Sequence, residues 1–302
     1  MATDWNIEGK RVVVTGATNG IGLAACVELQ KLGARLAIVA RSEQRARDAV
    51  ARIGGDVDVL RADLSSLASV RALAQDVLAR YPRLDVLVNN AGAMNAKRHL
   101  TDDGFELTWE ANHLAPFLLT NLLLDRLKES APSRVITTAS DAHQGAKRGI
   151  PFDDLNAERG YGGLGLRRYG ETKLANILFT AELAERLEGT GVTANCFHPG
   201  LVWTGFNKNN GTFLRWGMIF TKPFARTPEQ GADTLVWLVS SPEVGWVVPP
   251  RDVRALARAI AEVIDQPERA AAVAKNAREH VVRGFSKELR IARLEALYRE
   301  IL

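Results

Sequence analysis

Short apolar, β-branched runs alternate along the first two-thirds of the chain with longer stretches in which apolar positions recur every three to four residues. The runs predict strands at 11–15 (RVVVT), 35–40 (RLAIVA), 57–62 (VDVLRA) and 84–90 (LDVLVNN), then at 134–140 (RVITTAS) and 191–199 (GVTANCFHP). Between them the pattern predicts a helix from Ile21 stopped by Gly33, one through about Ile53, one from Leu67 to Arg80, and long helices around the last two strands. Strands that are apolar almost throughout, rather than on alternate positions, belong to a parallel sheet covered on both faces. The fold class is therefore α/β, a doubly wound parallel sheet of the Rossmann type.

The pattern changes after Pro242. GWVVPP is one more short apolar run, with room for a seventh strand, and three helical segments follow, roughly 251–265, 267–283 and 286–302. Val253, Leu256, Ala257, Ile260, Val263 and Ile264 fall on one helical face, so this segment needs something to pack against. The division expected is a body of residues 1–244 and a helical extension of residues 245–302 packed on it.

Composition narrows the possibilities only modestly. The chain has 302 residues, 46% hydrophobic and 25% charged, with a formal net charge of +4. Residues 245–302 hold 11 Lys and Arg against 8 Asp and Glu, so most of the excess lies in the tail. The tail's charges alternate in sign, and no basic block interleaved with aromatics appears, which argues against nucleic acid as a partner. Cys26 and Cys196 sit in apolar contexts and read as two buried thiols of a reducing compartment. The polar start MATDWNIEGKR shows no secretory or transit pattern, and the apolar run LAPFLLTNLLLDRL is too short to span a bilayer. A cytoplasmic protein without a transmembrane segment is expected.

TGATNGIG stands directly after the first strand and opens the first helix. A structural turn is the bland reading. In this position Gly16, Gly20 and Gly22, with Thr18, Asn19 and Ile21 between them, read as a dinucleotide site, because glycines admit the pyrophosphate to the backbone and a helix N-terminus favours its charge. Residues 1–244 then form a dinucleotide-binding and catalytic domain.

TGxxxGIG, the NNAG of residues 89–92 and the YxxxK of Tyr169 and Lys173 occur in order over some 160 residues, and together they resemble the short-chain dehydrogenase/reductase family. The resemblance implies a nicotinamide cofactor. It places Asp63 and Leu64 of ADLSS near the adenine, Asn90, Ala91 and Gly92 beside the central strand, and Pro199 and Gly200 of HPG near the nicotinamide, with Thr204 on its amide. NAD sites of this type end the second strand with an acidic residue on the ribose hydroxyls; here that place is Ala40, followed by Arg41 and Ser42. A guanidinium suits a phosphate dianion, so the cofactor reads as NADP(H), with Arg41 the main contact and Arg45 a second. The alternative is that Arg41 simply faces solvent.

Hydride transfer to a carbonyl builds charge on oxygen and needs a positioned acid. Tyr169 can supply the proton, and Lys173, one helical turn on, is expected to stabilise the phenolate and lower the phenol's pKa. By resemblance Lys173 also holds the nicotinamide ribose, Ser140 orients the substrate oxygen, and Asn112 anchors a water in a proton path to the lysine. Each has a bland alternative: Ser140 a helix cap, Asn112 a helix kink, Tyr169 an exposed aromatic. His113, His143 and His198 invite a hydrolase reading, but no G-x-S-x-G elbow surrounds Ser140.

Ser140 and Tyr169 lie 29 positions apart, and the long spacer with its FDDLN resembles the retinol-dehydrogenase-like branch, as do NHLAPFLLT, YGETKLANILF and HPGLVWT. That branch implies a small hydrophobic alcohol or carbonyl substrate, without implying retinoid itself. Met94 and the aromatics Trp203, Phe206, Phe213, Trp216, Phe220 and Phe224 could line or cover such a substrate, pack a subdomain, or rest on a membrane. Residues 245–302 instead resemble the C-terminal end of group-1, GT-B glycosyltransferases, without the nucleotide-sugar domain those enzymes carry; covering the sheet edge or forming a homodimer contact are roles open to them. The function expected is NADP(H)-dependent oxidoreduction between an alcohol and its ketone or aldehyde. A nucleotide-sugar epimerase or dehydratase, and a non-catalytic dinucleotide-sensing scaffold, are the alternatives.

Overall fold

The computed structural model describes residues 5–202, 225–242 and 268. The compact unit Asn6–Ser240 holds every element considered below. Six strands form one sheet: β1 (Arg11–Thr15), β2 (Arg35–Ala40), β3 (Val57–Arg61), β4 (Val86–Asn89), β5 (Ser133–Thr138) and β6 (Val192–Phe197). Their order is β3-β2-β1-β4-β5-β6 and every pairing is parallel. The doubly wound sheet expected from the apolar runs is therefore the observed one.

Helices α1 (Gly20–Lys31), α2 (Glu43–Ile53) and α3 (Leu67–Arg80) follow the first three strands, as the periodicity predicts. Ser42 and Ser66 cap α2 and α3 through Arg45 N–H and Ser69 N–H, satisfying donors that a helix start leaves open. Beyond β4 come a short α4 (Leu107–Trp109), a π turn (Glu110–Leu114) and α5 (Ala115–Glu129). After the spacer come α6 (Leu166–Arg186), then β6, and α7 (Pro228–Ser240).

Strand side chains alternate between two buried layers. Val13, Ala37, Val39, Leu60, Leu87 and Val135 pack with Val70, Leu73 and Val77 of α3, Leu119, Leu123 and Leu127 of α5, and Leu183 of α6. On the other face α1 packs against α7. Each fully buried Val or Leu contributes about 1.5–3 kcal/mol, so these layers outweigh any surface ion pair in holding the strand ends. The strand order reverses between β1 and β4, and parallel α/β sheets open a ligand crevice at that point, beyond the carboxyl ends of the strands. Thr15, Asn89 and Thr138 mark that edge.

Candidate active site

The edge is tied together by one amide. Asn90 donates through Nδ2 to the carbonyls of Thr15 (3.2 Å) and Gly16 (3.1 Å), and its Oδ1 accepts from Thr138 Oγ1 at 3.2 Å. Thr15 Oγ1 accepts in turn from the N–H groups of Asn90 (3.0 Å) and Ala91 (3.1 Å). Three strands are thus joined at their ends.

Gly16 and Gly20 have φ of 66° and 53°, values that favour glycine. Gly16 and Gly22 serve the chain's own packing as well: a Cβ on Gly16 would stand 2.7 Å from Ala91 Cα, and one on Gly22 would collide with the carbonyl of Gly16. Thr18 is half-buried, Asn19 is exposed, and Ile21 packs towards Gly231 of α7. Unlike α2 and α3, α1 begins with no side-chain cap from its N-cap residue Asn19. An uncapped helix start beneath a glycine turn, at the mouth of the crevice, fits a pyrophosphate.

Arg41 is exposed and pairs with Asp63 (Nη1–Oδ2 3.4 Å). Burial pushes the Asp63 carboxyl up, but the Ser65 hydroxyl (2.6 Å) and amide (3.0 Å), with Arg41, more than offset this and hold it below its ordinary value. Leu64 packs partly buried against the core layer, and the Ser42 hydroxyl oxygen accepts from Arg45 N–H as the α2 cap. Arg45 is exposed on the first turn of α2.

The reacting end gathers residues from three elements. Ser140 follows β5 and caps a single 3₁₀ turn, Asp141–Gly145, accepting from Ala142 N–H at 3.2 Å. Gly170 seats α6 directly on that turn, since a Cβ there would collide with the carbonyl of Ala142. This close approach brings the Tyr169 hydroxyl into hydrogen-bond reach of Ser140. Lys173 is buried, its ammonium 5.4 Å from the centre of the Tyr169 ring and donating to Thr138 O at 2.8 Å. A Cβ on Gly92 would lie 3.5 Å from Lys173 Nζ and 3.6 Å from Asn112 Oδ1, so both groups converge under the NNAG turn.

The electrostatics differ from expectation. Burial pushes the Tyr169 phenol up to about 12, with only the Ser140 hydrogen bond pulling the other way. The same burial pushes Lys173 down to about 8. Desolvation of both groups outweighs the stabilisation of a phenolate by the nearby cation, so the phenol is held protonated.

Asn112 is fully buried within the π turn. Its amide is spent on protein groups: Oδ1 accepts from Ala93 N–H (2.8 Å), and Nδ2 donates to Ala93 O (2.8 Å) and Thr172 Oγ1 (3.2 Å). Pro116 has no N–H to return to the carbonyl four residues earlier, which is that of Asn112, and this opens the helix there. The freed carbonyl accepts from Asn176 Nδ2 at 2.9 Å. Asn176 Oδ1 in turn meets His113 Nδ1 at 3.0 Å.

The long spacer is fastened by buried charge. Arg168, next to Tyr169, pairs with Glu106 (Nε–Oε2 2.8 Å) and Glu171 (Nη1–Oε2 3.1 Å), donates to Leu155 O, and lies 4.6 Å over the Trp109 ring. Asn156 Oδ1 accepts from Glu106 N–H at 3.0 Å, and Tyr161 OH reaches Asn95 O at 2.8 Å. Sequence reasoning passed over Gly170, Arg168, Glu106 and Asn176. An isolated glycine and an Arg/Glu pair inside one helix were the signals available.

Pro199 is buried, Gly200 has φ 83°, and Arg226 Nη1 donates to Pro199 O at 3.0 Å. Met94 is buried. Cys26 is buried and its thiol is pushed up to about 12, whereas Cys196, the penultimate residue of β6, is only half-buried. Thr204, the six aromatics from Trp203 to Phe224 and residues 245–302 other than 268 lie outside the described residues. Among the described residues no helix is long and apolar enough to cross a membrane, and no cluster of His, Cys, Asp and Glu could hold a metal ion.

The family model for short chain dehydrogenases matches residues 10–151. Human retinol dehydrogenase 14 is 43% identical over 259 residues, covering 79% of this chain and 76% of that protein. DnrU of Streptomyces sp. (strain C5), named for daunorubicin C-13 ketoreduction, is 42% identical over 242 residues, covering 78% and 80%. A Burkholderia cenocepacia J2315 short chain dehydrogenase, solved in complex with NADP, superimposes with a TM-score of 0.63 at 28% identity, covering 78% and 93%. These matches lend no support to the glycosyltransferase likeness of the tail. With its glycine turn, serine, tyrosine and lysine arrayed at the switch point of the sheet, and relatives above 40% identity over three-quarters of its length, the chain belongs to the short-chain dehydrogenase family, as an oxidoreductase related to retinol dehydrogenases and ketoreductases.

Proposed function

We propose that the protein is an NADP(H)-dependent oxidoreductase that interconverts a hydrophobic alcohol and its ketone or aldehyde, with Tyr169 as the acid/base. The observation that carries the reading is the Ser140–Tyr169–Lys173 cluster, brought together at the carboxyl edge of the sheet by Gly170 and by the Thr138 carbonyl. The names of the relatives support the substrate class, and neighbours solved with NADP support the cofactor. The uncapped start of α1 and the Gly16–Gly22 turn would hold the pyrophosphate, Arg41 the 2′-phosphate and Lys173 the ribose. When bound, the dinucleotide supplies or accepts the hydride. Ser140 orients the carbonyl oxygen, and Tyr169 donates the proton that this oxygen takes up on reduction.

A panel of aliphatic, aromatic and polyene aldehydes and ketones, assayed with NADPH and NADH, tests this reading. Turnover of apolar carbonyls with NADPH is the expected result; inactivity across the panel with both cofactors refutes it. Arg41→Ala should weaken NADPH by about tenfold and leave NADH nearly unchanged, since one charge-assisted contact at an exposed position contributes about 1.5 kcal/mol. Equal loss with both cofactors would place Arg41 elsewhere than at the 2′-phosphate.

A further inference from the structure

Two loops bracket the reacting end: the 3₁₀ turn that starts at Ser140, and the Pro199–Gly200 turn that follows β6. One pair of side chains joins them. His198 Nε2 lies 2.7 Å from Asp141 Oδ2, and the backbone N–H of Asp141 donates to His198 Nδ1 at 3.2 Å. Both ring nitrogens are therefore used by the same residue. An N–H pointing at Nδ1 requires that nitrogen to be the acceptor, which leaves the proton on Nε2, where the carboxylate accepts it.

The residues so joined are the immediate neighbours of Ser140 and Pro199. Each neighbour has one further anchor on its own side: His143 Nδ1 to Ser140 O at 2.7 Å, and Arg226 Nη1 to Pro199 O at 3.0 Å. Beyond the last strand bond, Ala139 N–H to Phe197 O at 2.8 Å, Asp141–His198 is the side-chain link that crosses between the loops among the described residues. Burial holds His198 below its ordinary value; Asp141 pulls it up, while Arg226 and His143 push it further down, so the neutral tautomer that the link needs prevails at neutral pH.

We propose that Asp141 and His198 form a clasp that sets Ser140 against the Pro199–Gly200 turn, and that both are positioning residues for the hydride transfer. The proposal rests on the function proposed above, in which Ser140 orients the substrate oxygen. Neither residue touches the reacting atoms. Fixing the serine relative to the opposite wall of the crevice removes a freedom that would otherwise be lost at each turnover, and small misplacements at a reacting centre are costly.

The test uses the full chain with saturating NADPH and an apolar carbonyl from the panel. Asp141→Ala should lower kcat about tenfold, while the melting temperature and the NADPH affinity, set by Arg41 and the glycine turn, stay close to those of the unmodified protein. Asp141→Asn keeps an oxygen acceptor for the Nε2 proton and should restore kcat to within about threefold. His198→Ala removes both bonds of the link, whereas Asp141→Ala leaves the backbone N–H of residue 141 on Nδ1; the double variant should therefore be no slower than His198→Ala alone. An Asp141→Ala protein with unchanged kcat, or losses that multiply in the double variant, overturns the clasp while leaving the proposed function standing. An unmodified protein inactive across the panel overturns the proposed function and the catalytic role of the clasp together.

Discussion

Tyr169→Phe is expected to lower turnover by about 10³-fold, within the span of rate that a positioned general acid contributes. Cofactor binding should survive. The ring that fills the site is retained, and Lys173 is held by the carbonyl of Thr138 rather than by the phenol oxygen. Fluorescence titration with NADPH, set beside steady-state kcat, checks both halves; turnover within tenfold of the unmodified protein would remove Tyr169 from the chemistry. The pH dependence follows from the same burial. Reduction needs the protonated phenol, which persists until the pH nears about 12. It also draws on the Lys173 cation, present below about 8 and lost as the pH rises through it. Reduction should therefore be flat through neutrality and decline above about pH 8. Oxidation needs the phenolate and should climb as the medium becomes alkaline.

These expectations rest on geometry that was only partly legible in the sequence. The strands fall within one or two residues of their apolar runs, because a sheet covered on both faces leaves a strong signal. The glycine turn and the YGETK motif were legible because their chemistry needs fixed local spacings. Contacts set by the fold were not. Asp141 and His198 are 57 positions apart, and Arg168 and Glu106 62, and each residue alone reads as an ordinary surface charge. The lysine's effect on the phenol is legible only in part for a related reason: four-residue spacing reports that a cation is close, but only the packed structure reports that both groups are buried, which pushes the phenol the other way. The amide of Asn112 shows the same limit. Its position on the helix was readable, whereas its occupation by Ala93 and Thr172, and that of the backbone carbonyl by Asn176, depended on where α6 came to rest.

The largest effect on stability is expected at Arg168, which is 1% exposed among carboxylates of Glu106 and Glu171 that are 0% and 6% exposed. Arg168→Met keeps most of the volume but strands the Glu106 carboxylate without its cation and leaves Glu171 only the more exposed Arg167 at 3.6 Å. Removing one member of a buried ionic group costs about 3–5 kcal/mol, far more than an exposed pair would. For a domain of this size that corresponds to a fall in melting temperature of about 10 °C. The cost arises from uncompensated charge rather than from lost packing, so it should shrink when the charge is removed too. Arg168→Met combined with Glu106→Gln and Glu171→Gln should melt above the single variant, because no buried carboxylate is then left without its cation, and the one amide oxygen remaining at 106 still accepts from one of the N–H groups of Thr108 and Trp109 at the start of α4. Thermal unfolding of the three proteins decides the matter. A single variant melting within about 2 °C of the unmodified protein would mean the charges are hydrated in solution, and a triple variant less stable than the single would assign the stability to the ion pairs themselves. Because Leu155 and Asn156 of the spacer bind to Arg168 and Glu106, the same loss should also release the spacer from the helix that carries Tyr169, so kcat of the folded single variant should fall along with its stability.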